Sequence, residues 1–332
     1  MTSSPALPVG IVGAGVAGLA AALELLDEGR TVHLVDKGRG VGGRLATRRV
    51  GGARLDHGAQ FFTVRGDALR TVIDPAIAAG VVDVWCHGFN GEDGHPRYYC
   101  PDGMTALAKW LAAEVASRGG VISLSEQVKS VNPEADHWSL AIAGGAKLSV
   151  GDLIITSPVP QTLGLLEAGR VTLNEQVRRD LEAITYMPTI GALVVLDAPS
   201  VIPSPGGIQQ TQDDLFSFIA DNQQKGISSK PAVTFHANGT FSSERWNDEP
   251  EDVLQKLLTA AEPWLGSARV VEAQLKKWTF ATPLTPHGDR CVLAATSPGS
   301  LVLAGDAFGG PKVEGAFNSG QAAAKAVIER QR

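Results

Sequence analysis

Cysteine is scarce in this chain. Three cysteines among 332 residues, Cys86, Cys100 and Cys291, are too few and too far apart for a disulfide framework or a CxxC metal site. An odd, low count suits a reducing compartment, so a cytoplasmic location is expected. Basic runs are missing as well. The net charge is −6, and no long Lys/Arg stretch offers a phosphate track, which excludes a nucleic-acid partner. The one basic cluster, Arg44 to Arg54, lies in a Gly-rich segment. No apolar run reaches the roughly 20 residues of a membrane span, so no membrane partner is expected. The run Val9 to Leu26 is broken by Gly13, Gly15, Gly18 and Glu24 and has no basic flank. It reads as a buried strand running into a helix, not a signal peptide. Internal repeats, a Ser–His–Asp arrangement and metal-ligand spacing are also lacking, and no metal is expected.

What is present begins with Gly13-Ala14-Gly15-Val16-Ala17-Gly18. A β-branched strand, Val9–Val12, precedes it. An Ala/Leu-rich helix, Val16–Glu28, follows and ends at Gly29. A second strand, Thr31–Val35, leads into Asp36. This is a dinucleotide fingerprint in its proper context. Gly13 permits the tight turn, Gly15 lets a pyrophosphate approach the helix N-terminus, and Gly18 lets helix and strand pack closely. Asp36 is placed to accept hydrogen bonds from ribose hydroxyls. The fingerprint alone does not separate FAD from NAD.

Further on, the pattern predicts a helix at Met104–Ser117 and strands at Val121–Leu124, Gln127–Val131, Trp138–Ile142 and Leu153–Thr156. Residues 171–280 mix strands (Ile190–Leu196, Leu215–Ile219, Ala232–His236) with one helix, Glu251–Ala261. A strand, Leu301–Ala304, and a terminal helix, Gly315–Arg332, close the chain. Dinucleotide-type features therefore lie at both ends, and the middle reads as an insertion.

Three segments narrow the cofactor by resemblance. Asp36-Lys37-Gly38-Arg39-Gly40-Val41-Gly42-Gly43-Arg44 resembles the Gly-Gly-Arg extension of the amine-oxidase and desaturase class of FAD enzymes. Paired glycines expose backbone N–H groups to phosphate oxygens, and Arg44 adds positive charge. Leu55-Asp56-His57-Gly58-Ala59-Gln60-Phe61-Phe62-Thr63 resembles the segment by which that class approaches the flavin. Gly58 and Ala59 are small enough for backbone to lie flat against the ring. His57 can be read as a base or as a structural histidine. Leu301 to Asp306 is a strand ending in Gly-Asp, and by resemblance Asp306 contacts the ribityl chain. The helix that follows would turn its positive end to the flavin locus where charge accumulates on reduction.

The agreement then extends over almost the whole chain to the renalase family, in particular its bacterial members. It includes Pro101-x-Gly103-Met104 and Val313-Glu314-Gly315-Ala316-x-x-Ser319-Gly320-Gln321. It also takes in Ile219-Ala220-Asp221-Asn222-x-x-Lys225, Phe235-His236-Ala237 and Trp278-Thr279-Phe280-Ala281-x-Pro283. Departures occur at Ala307-Phe308, where the family often has Trp-Cys, and at Gly226, where it often has Pro. These departures bear on the substrate pocket more than on the flavin site.

The resemblance implies an α/β fold of the p-hydroxybenzoate-hydroxylase type. Its Rossmann-type FAD-binding domain would be assembled from residues 1–80, 100–165 and 285–332. Residues 81–99 and 166–284 would form an inserted mixed α+β substrate domain. FAD would be held non-covalently by Gly13, Gly15, Val16, Ala17, Gly18, Asp36, Lys37, Gly43, Arg44, Gly58, Ala59, Gln60, Phe61, Val128, Asp306, Glu314, Gly315 and Ala316. His236, Trp278, Phe280, Asn222 and Phe62 would form the catalytic pocket. The implied reaction takes hydride from the 2- and 6-dihydro isomers of NAD(P)H to FAD and passes the electrons to O₂, giving H₂O₂. The partners are then a dihydronicotinamide nucleotide and O₂. An amine- or carotenoid-type FAD oxidase and a non-catalytic dinucleotide-binding protein stay open. So do plain core packing for Trp278 and Phe280 and a satisfied buried role for His236.

Overall fold

Residues 9–12, Val-Gly-Ile-Val, are all buried, as a parallel strand covered on both faces requires. In the computed structural model, which describes residues 6–89, 91, 93–209 and 214–330, they form β1 (Val9–Val12). The βαβ unit continues with α1 (Val16–Asp27) and β2 (Val32–Asp36). Two hairpins follow, β3 (Thr47–Val50) with β4 (Ala53–Asp56) and β5 (Asp83–Cys86) with β6 (Arg97–Tyr99), separated by α2 (Asp67–Ala78). The chain then runs through α3 (Thr105–Ser117), β7 (Val121–Leu124), β8 (Val128–Pro133), β9 (Trp138–Ile142), β10 (Lys147–Val150) and β11 (Leu153–Ile155). Helices α4 (Val159–Ala168) and α5 (Glu175–Glu182) lead to β12 (Tyr186–Leu196), β13 (Gly207–Gln209), β14 (Phe216–Asp221) and β15 (Ala232–Ala237). After α6 (Gly239–Glu244) and α7 (Pro250–Leu265) comes the long strand β16 (Val270–Pro283). The chain returns through β17 (Val292–Ala295), β18 (Leu301–Leu303), α8 (Asp306–Gly309) and α9 (Val313–Glu329). The last two residues of the expected terminal helix lie outside the described residues.

Six strands form the first sheet, in the order β17-β18-β11-β1-β2-β7, parallel except where β17 meets β18. Alternation sends Ile11, Leu34, Ile154 and Val302 to one face, where α1, α3 and α9 pack. Val12, Val35, Ile155 and Leu303 go to the other, covered by β8–β10, α4 and α5. Helices α1 and α9 touch backbone to backbone, because a Cβ on Gly320 would lie 2.0 Å from Ala17 O. The N-terminal fingerprint and the C-terminal Gly-Asp thus belong to one sheet, with β11 between them.

The second sheet is antiparallel, in the order β13-β14-β15-β12-β16. Ile190, Ala192 and Val194 of β12 point to α7. Leu193 and Val195 point the other way, onto Val50, Ala53 and Leu55 of the β3–β4 hairpin. The α/β fold with a second, mixed unit is as expected from the sequence.

Candidate functional site

A cavity of about 1130 Å³ runs between the two sheets. It exceeds the roughly 300–1,000 Å³ of ordinary small-molecule sites, so it has room for a dinucleotide-sized ligand. One end is built at the first βαβ turn. Gly13 takes φ +106°, and Gly15 faces open space, with nothing within 4 Å of where a Cβ would stand. Gly15, Val16 and Ala17 line the cavity there, and the first-turn amides of α1 have no intrahelical partners. Asp36 and Lys37 line the same end, with Val128 opposite. Asp36 accepts from Ala14 N at 2.7 Å and from Gly38 N at 2.6 Å, so the carboxylate shapes the glycine loop itself. Lys37 reaches Gln161.

Gly43 and Arg44 border the middle of the cavity. The Arg44 guanidinium grips Asp306 through two hydrogen bonds of 2.6 Å. It also donates to Phe280 O and Ala281 O at 3.0 and 3.2 Å, joining the glycine loop to α8 and to the end of β16. Ala316, in the first turns of α9, closes the cavity beside Asp306.

Beyond Arg44 lie His57, Gly58, Ala59, Phe61 and Phe62. Gly58 is pressed on Arg44 O, where a Cβ would come within 1.9 Å, so only glycine fits. Across from them, the second sheet presents Thr189, Gln209, His236, Trp278 and Phe280. Strand register explains their common direction. Gln209, Phe218, His236, Gly191 and Lys276 are successive cross-strand partners, and Thr189 faces Trp278 one step along.

Trp278 is fixed from two sides. Its Nε1 donates to His57 O at 2.7 Å, and its ring stacks on the His57 ring at 5.4 Å and 19°. His57 Nδ1 and His236 Nε2 are both shielded from solvent and without hydrogen-bond partners among the described residues. Burial pushes both imidazoles down to about 4, and the Lys276 charge adds to this at His57. Both rings are therefore neutral near pH 7.

Several expected site residues stand elsewhere. Gly18 packs on Gly13 O. Gln60 is buried and donates back to Asp56 O and Gly58 O. Glu314 accepts from Arg65 N and Gly66 N, just ahead of α2, and does not line the cavity. Gly315 abuts Gly309 O and Gly310 O, letting α9 meet α8. Asn222 is corrected most firmly. It is fully buried, donates to Thr234 Oγ1 at 3.0 Å and Ala220 O at 3.2 Å, and accepts from Asp56 N at 3.3 Å. It joins Lys225, whose Nζ lies 2.7 Å from Asp56 Oδ2, in a seam between β4 and β14–β15. Its amide is spent on the fold.

Other lining residues carried no signal in the sequence. Arg65, Arg97, Thr189, Gln209 and Lys312 reach the cavity from loops and strand ends. Thr189 follows Pro188, which concealed the first part of β12; a register shift at that point absorbs the proline.

The flavin containing amine oxidoreductase family matches residues 73–328, and a NAD(P)-binding Rossmann-like domain matches residues 11–75. The chain belongs to the flavin containing amine oxidoreductase family, and FAD is its cofactor. Within it the chain is a renalase-like FAD oxidoreductase. It is 23% identical to mouse (Mus musculus) renalase over 96% of this chain and 98% of that protein. Solved structures share the fold at lower identity. A putative protoporphyrinogen oxidase from Exiguobacterium superposes with TM-score 0.71 at 14% identity, covering 99% of this chain and all of that one. Putrescine oxidase bound to putrescine superposes with TM-score 0.69 at 15% identity, covering 98% of this chain and 99% of that one.

The cavity suits FAD by its own features: an open glycine cradle at a helix N-terminus, small residues at Gly58–Ala59, and a volume of about 1130 Å³. Among the described residues, no helix is long and apolar enough to cross a membrane.

Proposed function

We propose that the chain is an FAD-dependent oxidase that takes hydride from the 2- and 6-dihydro isomers of NAD(P)H. NAD(P)⁺ leaves, the electrons pass to O₂, and H₂O₂ forms. The charge distribution around the cavity carries this reading. Arg65, Arg97 and Lys312 line it, Arg97 in an ion pair with the exposed Asp93. Arg48 and Lys276 stand close enough to His57 to depress it. Of the lining carboxylates, Asp306 is held by Arg44, while Asp36 and Glu126 sit at the glycine-loop end. A diamine would enter a positive field, whereas a phosphate-bearing nucleotide is drawn in.

Bound FAD supplies the two-electron acceptor. The first-turn amides at Gly15, Val16 and Ala17 hold its pyrophosphate, helped by Gly43 and Arg44. Asp36, Lys37 and Val128 serve the adenosine end, and Asp306 and Ala316 the ribityl and ring end. Gly58 and Ala59 allow close approach to the ring, flanked by Phe61 and Phe62. Trp278 gives a rigid flat wall that orients a planar donor, with Phe280 beside it. His57 and His236 are uncharged and put no fixed positive charge beside the donor. A dihydropyridine needs no proton removed, so neutral imidazoles suffice. The three free cysteines suit a reducing compartment, and we place the enzyme in the cytoplasm.

The test is anaerobic mixing of the FAD-loaded protein with each dihydro isomer and, separately, with putrescine, while following flavin bleaching. Bleaching by an isomer, and peroxide on admitting O₂, supports the proposal. Bleaching by the amine alone returns the chain to amine oxidation. No bleaching by any of them leaves a dinucleotide-binding protein.

A further inference from the structure

The outer face of the β3–β4 hairpin carries a second arrangement, apart from the flavin cavity. Gly51 and Gly52 make its two-residue turn with φ +54° and +82°, the conformation that left-handed-tolerant residues supply in tight hairpins. Val50, Ala53 and Leu55 bury the inner face against Leu193, Val195 and Ala232. That burial sets the register, and the register makes Arg49 and Arg54 direct cross-strand partners on the outer face. Like charges placed opposite each other destabilise a strand pair.

Both arginines line a cavity of about 440 Å³, bounded by Pro101–Asp102 and the loop Gly226–Ser229. It shares no lining residue with the flavin cavity. Arg54 pairs with Asp102 at 2.7 Å, but Asp102 is 83% exposed and Arg49 has no partner among the described residues. Lys230 stands at the turn, its Nζ 2.7 Å from Gly51 O, but does not line the cavity. Glu272 approaches Gly51 but does not line the cavity. Two arginines and one solvated carboxylate therefore line the groove.

We propose that this groove is an accessory oxyanion site that takes a phosphate group, free or as a small monoester. Guanidinium forks match phosphate oxygens geometrically, and an anion between Arg49 and Arg54 turns their repulsion into attraction. The exposed Ser229 at the rim adds a hydroxyl donor. The groove has small-molecule dimensions, and a chain of net charge −6 offers no basic track for a polymer.

The experiment is calorimetric titration of the FAD-loaded protein with inorganic phosphate and with AMP, at constant ionic strength, paired with thermal melts. Saturable phosphate binding is expected, with melting raised by about 3 °C at ten times the dissociation constant. Arg49→Gln should weaken binding at least ten-fold. Without phosphate it should melt no lower than wild type, because the cross-strand repulsion is gone. Arg65→Gln, in the flavin cavity, should leave the titration unchanged. Tighter binding of AMP assigns the site to a monoester and tighter phosphate to the free ion; either supports it. No saturable binding to wild type, equal binding to Arg49→Gln, or loss of binding in Arg65→Gln overturns it.

Discussion

Replacing Lys225 by methionine removes one half of an ion pair that has no access to water. Lys225 Nζ lies 2.7 Å from Asp56 Oδ2, and both side chains are 0% exposed. The ammonium also donates to Gln60 O at 2.6 Å, one residue before the cavity-lining Phe61. Methionine fills much of the same space and donates nothing. Asp56 then keeps only the hydrogen bonds from Thr47 Oγ1 and Met104 N, both on Oδ1, and Oδ2 is stranded. Removing one partner of a buried pair costs about 3–5 kcal/mol. At about 2–4 °C per kcal/mol for chains of this size, melting should fall by roughly 6–20 °C. The Asp56→Asn/Lys225→Met double variant leaves no buried charge uncompensated and should recover much of the loss. Circular dichroism melts, with released-flavin fluorescence followed in parallel, measure both variants and the Asp56→Asn single. A Lys225→Met protein within about 1 kcal/mol of wild type, or a double variant as unstable as the sum of the singles, would refute the reasoning.

Three further outcomes are expected. Trp278→Ala, which removes the wall stacked on His57, should slow anaerobic flavin reduction at least ten-fold, an order-of-magnitude figure for lost orientation, with FAD still bound. A wild-type rate in stopped flow would take Trp278 out of the pocket. No cysteine or histidine lies in the segment 305–315, so acid precipitation should release all the yellow colour to the supernatant; colour in the pellet would mean a covalent link. His57 and His236 are depressed to about 4 in the folded chain, below the 6.5 of the unfolded one. Between those values the unfolded state binds more protons, so stability declines as pH falls from 6.5 toward 4, by up to about 1.4 kcal/mol per pH unit for each histidine. Denaturant midpoints across that range should show a shallower slope in His236→Gln, and an unchanged slope would deny the burial of that imidazole.

How much was legible from residues alone depended on how local the physics is. The turn at Gly13–Gly18, the strands Val121–Leu124 and Trp138–Ile142 and the start of α1 at Val16 coincide with the sequence reading. Each is set by neighbours a few positions away. The β3–β4 hairpin was missed, because Thr-Arg-Arg-Val has no apolar alternation to reveal a strand. It forms through a glycine turn and through burial against β12 and β15. Strand β16 was missed for a related reason. It is a mostly half-buried edge strand of 14 residues, held by pairing with β12 about 90 positions earlier.

By itself the sequence determined a glycine loop that can carry a dinucleotide phosphate, a matching Gly-Asp strand near the other end, and a family resemblance spanning both. Those are properties of short segments, and short segments fold much the same way wherever they occur. Only the tertiary structure decided which residues of the matched segments face the cavity. His236 lies on β15 and Asn222 just past the end of the neighbouring β14, yet His236 lines the cavity while Asn222 is consumed by Asp56, Ala220 and Thr234. Arg44 meets Asp306 across 262 positions, and Lys225 meets Asp56 across 169. A side chain's partner at such a range follows from strand register and from the closing of one sheet on the other. No stretch of sequence around any one of these residues contains that information.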